Sequence, residues 1–230
     1  MTQQSQTVFI VEDDDDVRSS LCRALSLHGY VSEGFSDPLD FLNTFDGSAP
    51  GCIVLDYGLP GVNGLDLQKW LIERQISTPI IFITGHGGVP ESVRAIQAGA
   101  IDFLEKPFKI SILIQRIDTA FGLDAQFRAE QKQRSRRTTL LNSLTEREAE
   151  VLYFVLENPS TVSSKEIARA LAISPRTAEI HRARLLQKLD VNSLVELVAI
   201  YSSSERDTGL RNTGRGDQSL PEPDPRKSFE

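Results

Sequence analysis

The sequence predicts an α/β domain on a parallel sheet, followed by a small all-helical unit and a polar tail. Three observations carry this. Short apolar runs alternate with helical patterns through the first half of the chain. Four of those runs end on a carboxylate, a hydroxyl or a lysine. From Leu144 to Tyr201 the apolar spacing is helical throughout, and beyond Ser202 it disappears. Short apolar runs bounded by turn residues are what strands buried on both faces look like, and their alternation with helices implies βαβ units.

The first strand, Thr7–Glu12, leads into Glu12-Asp13-Asp14-Asp15-Asp16, and a helix over Val17–His28 stops at Gly29, which can adopt a left-handed cap. A second strand lies near Val31–Phe35; Asp37-Pro38 then opens a helix with an N-cap and a first-turn proline. The third strand, Cys52-Ile53-Val54-Leu55, ends at Asp56, and a loop from Gly61 to Gly64 precedes a helix over Leu65–Gln75. The fourth ends at Thr84-Gly85 before a helix over Val89–Ala98 that Gly99 closes. The fifth ends at Lys106-Pro107, and Ile110–Phe121 is the fifth helix. Right-handed crossovers align the strand ends, so the polar positions share the rim where open α/β sheets bind ligands.

This organisation divides the chain into residues 1–121, a linker at 122–140, a helical domain at 141–201 and a disordered tail at 202–230. The linker is polar and basic (Arg128, Lys132, Arg134, Arg136, Arg137) and has no helix breaker, so it reads as the extension of a helix, with a hinge as the alternative. The tail is Ser, Gly, Pro and charge, too poor in apolar surface to order itself. Residues 1–125 hold 17 acidic against 8 basic side chains, whereas 126–201 hold 9 against 12. Such asymmetry points to two units with different partners, the second one's anionic. No apolar run approaches the ~20 residues that cross a bilayer. The polar start lacks a signal peptide's basic and apolar regions, so the expectation is a cytoplasmic protein without a membrane partner. Cys22 and Cys52 read as core-filling thiols.

Carboxylates gathered on one rim repel one another by up to ~4 kcal/mol per pair at about 4 Å, for an effective dielectric near 20. A cation relieves that repulsion, and hard oxygen ligands with open positions suit Mg2+. A carboxylate can also act as a nucleophile toward a phosphoryl group. Asp56, alone at its strand end, is the candidate, with Lys106 to pair with phosphoryl oxygens and Thr84 to donate its hydroxyl. Asp15 and Asp16, and in part Asp14, read instead as acids favoured at a helix N-terminus.

At Val11-Glu12-Asp13-Asp14, Leu55-Asp56, Leu59-Pro60, Ile83-Thr84-Gly85 and Phe103-Leu104-Glu105-Lys106-Pro107 the chain resembles a response-regulator receiver domain, over Thr7 to about Phe121. The resemblance implies a flavodoxin-like fold with five parallel strands in the order 2-1-3-4-5. It implies Asp56 as phosphate acceptor from a sensor histidine kinase. Mg2+ would be held by Asp13 and Asp56, by Glu12 through water, and by the Gly58 carbonyl. Thr84 and Phe103 would form a switch pair, and Lys106 would contact the phosphate. Gly58 departs from the family's commoner larger side chain, which bears on the dephosphorylation rate.

In the helical unit, Thr145 with Glu148 and Ser163 with Glu166 have capping-box spacing, and Ser174-Pro175 caps a helix over Pro175–Leu189. That helix puts Ala178, His181 or Arg182, Leu185 and Leu189 on one face, and Arg176, Glu179, Ile180, Ala183 and Arg184 on the other. Two helices joined by a tight turn, the second basic and capped, suit the DNA major groove. By spacing alone, an amphipathic bundle with a solvated basic face fits equally well.

Leu144-Thr145-Glu146-Arg147-Glu148-Ala149-Glu150-Val151-Leu152, Lys165-Glu166-Ile167-Ala168, Ile173-Ser174-Pro175-Arg176-Thr177, His181 and Lys188-Leu189 closely resemble the DNA-binding domain of LuxR/FixJ-type regulators. The resemblance implies Pro175–Leu189 as recognition helix on double-stranded promoter DNA. Glu179, Ile180 and Ala183 would face bases, with Thr177 also in contact and Arg176, Arg182, Arg184 and Lys188 nearer phosphates. The last helix, Leu194–Tyr201, would be a dimer contact. The turn Glu157–Ser163 is about three residues longer than usual in the family.

The whole then resembles a NarL/FixJ-type two-component response regulator that forms a homodimer when phosphorylated, with RNA polymerase a further candidate partner. It is not expected to be an enzyme. An aspartate-nucleophile phosphatase shares much of the pocket but needs a second acid two residues after the nucleophile, where Gly58 stands. A third reading is a DNA binder indifferent to phosphorylation.

Overall fold

The structure is a computed structural model that describes residues 6–85, 89–159 and 163–201. Among the described residues five strands alternate with five helices and four further helices follow: β1 (Thr7–Val11), α1 (Asp15–Leu27), β2 (Val31–Phe35), α2 (Pro38–Thr44), β3 (Gly51–Asp56), α3 (Gly64–Glu73), β4 (Ile80–Thr84), α4 (Val89–Gln97), β5 (Asp102–Glu105), α5 (Ile110–Asn142), α6 (Glu146–Glu157), α7 (Ser164–Ala170), α8 (Pro175–Lys188) and α9 (Leu194–Tyr201). They fall into two compact units that divide between Glu130 and Gln131. The expected tail, 202–230, and residues 160–162 of the long turn lie outside the described residues.

The sheet is parallel in the order β2-β1-β3-β4-β5. Because strand side chains alternate between faces, its apolar runs build two cores. Phe9, Val11, Ile53, Leu55 and Phe82 pack with Phe41 of α2, Leu67 and Leu71 of α3 and Ala95 of α4. Val8, Ile10, Val54, Ile81 and Ile83 pack with Leu21 and Leu25 of α1 and with Leu113 and Ile117 of α5. The central strands β3 and β4 are buried at every position, which is why they read as unbroken apolar runs.

Helix α1 begins at Asp15, two residues before the expected start, because the Asp14 carboxylate accepts the Asp16 and Val17 N–H groups as an N-cap. Helix α5 runs past Phe121 to Asn142, so the segment 122–140 continues it as a helix. In the second unit both expected capping boxes form, at Thr145 with Glu148 and at Ser163 with Glu166. Val151, Leu152, Val155, Ile167, Ala178, Leu185, Leu189 and Leu197 make its core. No helix among the described residues is long and apolar enough to cross a membrane.

Candidate functional site

Strand register assembles the first site. Val11 pairs with Leu55, so Glu12, one residue on, reaches the rim beside Asp56. Asp56 pairs with Ile83, and Thr84 follows. Thr84 pairs with Glu105, and Lys106 follows. The loop after β3 is held close: a Cβ on Gly64 would lie 2.8 Å from Phe82 Cε1 and 2.9 Å from the Asp56 carbonyl oxygen. Lys106-Pro107 is a cis peptide.

Glu12, Asp56 and Thr84 are buried, and Asp13 is exposed at the mouth. Lys106 Nζ donates to Glu12 Oε2 at 2.6 Å and lies 3.4 Å from Asp56 Oδ1. At 3.4 Å the ammonium attracts Asp56 by charge but is not aligned for a hydrogen bond, and among the described residues Asp56 Oδ1 is buried without a hydrogen-bond partner. Burial, chiefly, pushes the Glu12 carboxyl above its ordinary range; the Lys106 hydrogen bond opposes this, and the Asp56 and Asp13 charges add to it.

One ligand oxygen from each of Glu12, Asp13 and Asp56 lies within 4.8 Å of the others. All three are hard oxygen donors, one carries a buried oxygen without a hydrogen-bond partner, and among the described residues a single ammonium serves the buried pair. The set fits Mg2+. Gly58 borders the carboxylate in open space, since among the described residues a Cβ there would meet only Asp56 Oδ2, at 3.9 Å. Phe103 is half-buried, with ring centroids 5.8 Å from Tyr57 and 6.0 Å from Phe82.

The second site is the outer face of α8. Ser174 caps this helix by accepting the Thr177 N–H, and Pro175 occupies its first turn. Ala178, Leu185 and the following Leu189 are buried, while Arg176, Glu179, Ile180, Ala183 and Arg184 are exposed. Thr177 is half-buried, its hydroxyl 2.7 Å from Ser174 Oγ. Arg182 donates to Ser164 Oγ of α7 at 3.3 Å. Lys188 Nζ donates to Glu148 Oε2 at 2.7 Å and to the Ser143 carbonyl at 2.9 Å.

Both units match known families. The family described as the response regulator receiver domain matches residues 8–118, and the bacterial regulatory proteins of the luxR family match 142–201. The response regulator protein TmoT of Ectopseudomonas mendocina is 38% identical over 200 residues, covering 87% of this chain and 90% of that protein. The transcriptional regulatory protein FixJ of Azorhizobium caulinodans is 37% identical over 195 residues, covering 85% and 91%. The chain belongs to the FixJ-type response regulators. Among solved structures, the response regulator StyR is 38% identical with a TM-score of 0.79, covering 86% of this chain and 99% of that one. Full-length FixJ from B. japonicum is 34% identical with a TM-score of 0.53, covering 91% and 100%. The chain is thus a transcriptional regulator with a receiver and a LuxR-type DNA-binding domain.

Sequence reasoning missed two features of this response regulator. Asp124, buried in α5, accepts the Gly51 N–H at 2.9 Å and pairs with Arg128 Nε at 2.8 Å, while Arg128 also donates to the Gly47, Ser48 and Ala49 carbonyls. The i, i+4 spacing of Asp124 and Arg128 is a local signal of the pair, but not of its distant partners. Arg18, in α1, donates to the Glu12 carbonyl at 2.7 Å and so braces the acidic loop.

Proposed function

We propose that a sensor histidine kinase transfers a phosphoryl group to Asp56, and that this transfer promotes homodimerisation and binding to double-stranded promoter DNA. The observation that carries the reading is the orphaned, buried Asp56 Oδ1 on a rim shared with Glu12, Thr84 and Lys106. Attack on the donor phosphorus forms the aspartyl phosphate and expels the donor's histidine as leaving group. Asp13, Asp56, Glu12 through water and the Gly58 carbonyl would hold Mg2+, which screens charge on the incoming group. Lys106 then exchanges its Glu12 contact for phosphoryl oxygens. Thr84 supplies a hydroxyl to the same group, and Phe103 moves with it. The new negative charge biases a two-state loop toward its active arrangement.

In the second unit α8 is the recognition helix. Glu179, Ile180 and Ala183 face base edges, Glu179 able to accept from a cytosine amino group. Arg176, Thr177, Arg182 and Arg184 lie nearer phosphates. Two half-sites bound by a dimer multiply the affinity of one module, and RNA polymerase is the next partner of a promoter-bound regulator. With Gly58 where a phosphatase would carry its general acid, the phosphoryl group is lost slowly to water rather than turned over.

The test is purified protein with Mg2+ and acetyl phosphate, run beside Asp56→Asn on a sizing column with light scattering. A monomer-to-dimer shift in the wild type alone supports phosphorylation-driven assembly. An Asp56→Asn variant that regulates fully would favour the phosphorylation-independent reading.

A further inference from the structure

Basic residues in the last turn of a DNA-reading helix invite assignment to the phosphate backbone, and Lys188 sits there. Its surroundings say otherwise. Lys188 follows buried Leu185 by three residues and half-buried His181 by seven, so it lies on the inner side of α8. Its ammonium is already committed to two acceptors at the start of α6, the Glu148 carboxylate and the Ser143 carbonyl.

Glu148 is unusual in its own right. Its side chain is 3% exposed, and the same Oε2 that accepts from Lys188 accepts the Thr145 N–H at 2.9 Å. Burial pushes its carboxyl upward, but the Lys188 ammonium and the Thr145 N–H and hydroxyl outweigh that and hold it at about 2. One carboxylate therefore closes the N-terminal cap of α6 and fastens the C-terminal turn of α8. Arg176 and Arg184, by contrast, are exposed on the outer face and make no hydrogen bond or ion pair with another described residue.

We infer that Lys188 is a positioning residue: through Glu148 it fixes the pitch of α8 against α6, and thereby sequence-specific DNA recognition, without contacting a phosphate. This rests on the DNA-binding reading above. Two helices packed only through apolar side chains can slide and rotate by small amounts, whereas a charge-assisted hydrogen bond to a buried acceptor has one geometry. Base readout depends on that geometry because its hydrogen bonds are directional; attraction to the phosphate backbone depends on it far less.

The test uses full-length protein treated with acetyl phosphate and Mg2+. One probe is the set of duplexes that the wild type selects from a random-sequence library; the other is a poly(dI-dC) duplex. Lys188→Met should weaken binding to the selected duplexes about tenfold, in the range of couplings between contacting groups, and leave poly(dI-dC) binding unchanged. The slope of log affinity against log salt should stay that of the wild type. Glu148→Gln keeps a capping side chain but removes the charge, and it does not belong to the outer face of α8. It should reproduce the same loss, and the double variant should be no worse than the weaker single variant. A slope reduced by about 1, with equal losses on both probes, would make Lys188 a phosphate contact and overturn the inference. A lower melting temperature with unchanged discrimination between the probes would overturn it too, leaving only a stabilising clamp. A wild type that binds neither probe would overturn the DNA-binding reading and this inference with it.

Discussion

Lys106 Nζ sits 2.6 Å from Glu12 Oε2, so the lysine expected to meet a phosphoryl group rests on a buried carboxylate. Among the described residues it is the cation paired with the buried carboxylates of Glu12 and Asp56. In Lys106→Met the carboxylates face one another unscreened. Urea unfolding at pH 7.5 without Mg2+ should show a loss of about 2 kcal/mol, below the range for breaking fully buried pairs because Lys106 is partly exposed. Added Mg2+ should stabilise the variant more than the wild type. Equal Mg2+ effects would contradict this role.

The Glu12 carboxyl, raised chiefly by burial, fixes the sign of a pH dependence. The folded chain binds that proton more tightly than the unfolded chain does. Ionising Glu12 therefore costs stability, beginning as pH rises through its ordinary value of 4.5 and complete above the raised one. Mg2+ favours the ionised form, so stabilisation by a fixed Mg2+ concentration should grow between pH 4.5 and 7.5. Thermal melts across that range should show the growth in the wild type and a flatter profile in Glu12→Gln.

Gly64 is required by close approach. A Cβ there would press on Phe82 Cε1 and on the Asp56 carbonyl oxygen, and the latter is backbone that moves only with the Asp56 peptide itself. Gly64→Ala should cost about 1–3 kcal/mol and slow labelling of Asp56 by acetyl phosphate, since the shifted carbonyl belongs to the acceptor itself. A denaturant titration paired with phosphorylation kinetics checks both.

Arg128 donates to three successive carbonyls and to the buried carboxylate of Asp124. Arg128→Ala removes the partner of a buried charge and should cost about 2–3 kcal/mol. Amide hydrogen exchange should rise in residues 122–130 of α5 and in the loop from Gly47 to Gly51, with α8 unaffected. Exchange unchanged in α5 would contradict a fastening role.

The rim that gathers Glu12, Asp56, Thr84 and Lys106 was legible because each stands at or one residue past a strand end, and strand ends follow from local apolar runs. Parallel register did the rest, setting Glu12, Asp56, Thr84 and Lys106 along one rim. The caps at Thr145, Ser163 and Ser174 were legible for the same reason, since each is closed by a partner three residues away. The extension of α5 was legible from the lack of a breaker in 122–140, but the fastening of Arg128 was not, because the carbonyls that hold it lie 79 to 81 residues earlier in the chain. The start of α1 was obscured by five consecutive acids, of which Asp14 alone makes the cap. The partner of Lys188 was not legible either: charge and position on a helix suggest a phosphate contact, and it takes the fold to set Glu148 Oε2 2.7 Å from its ammonium.

The central claim is that phosphorylation of Asp56 controls DNA binding. The most direct measurement is the affinity of full-length wild type and Asp56→Asn for duplexes selected by the phosphorylated wild type, with and without acetyl phosphate and Mg2+. Mass spectrometry of the same samples reports the phosphoryl adduct. Control by phosphorylation requires an adduct on Asp56 and tighter DNA binding in the treated wild type alone. An adduct-free wild type, or an Asp56→Asn variant whose affinity rises equally, would contradict it.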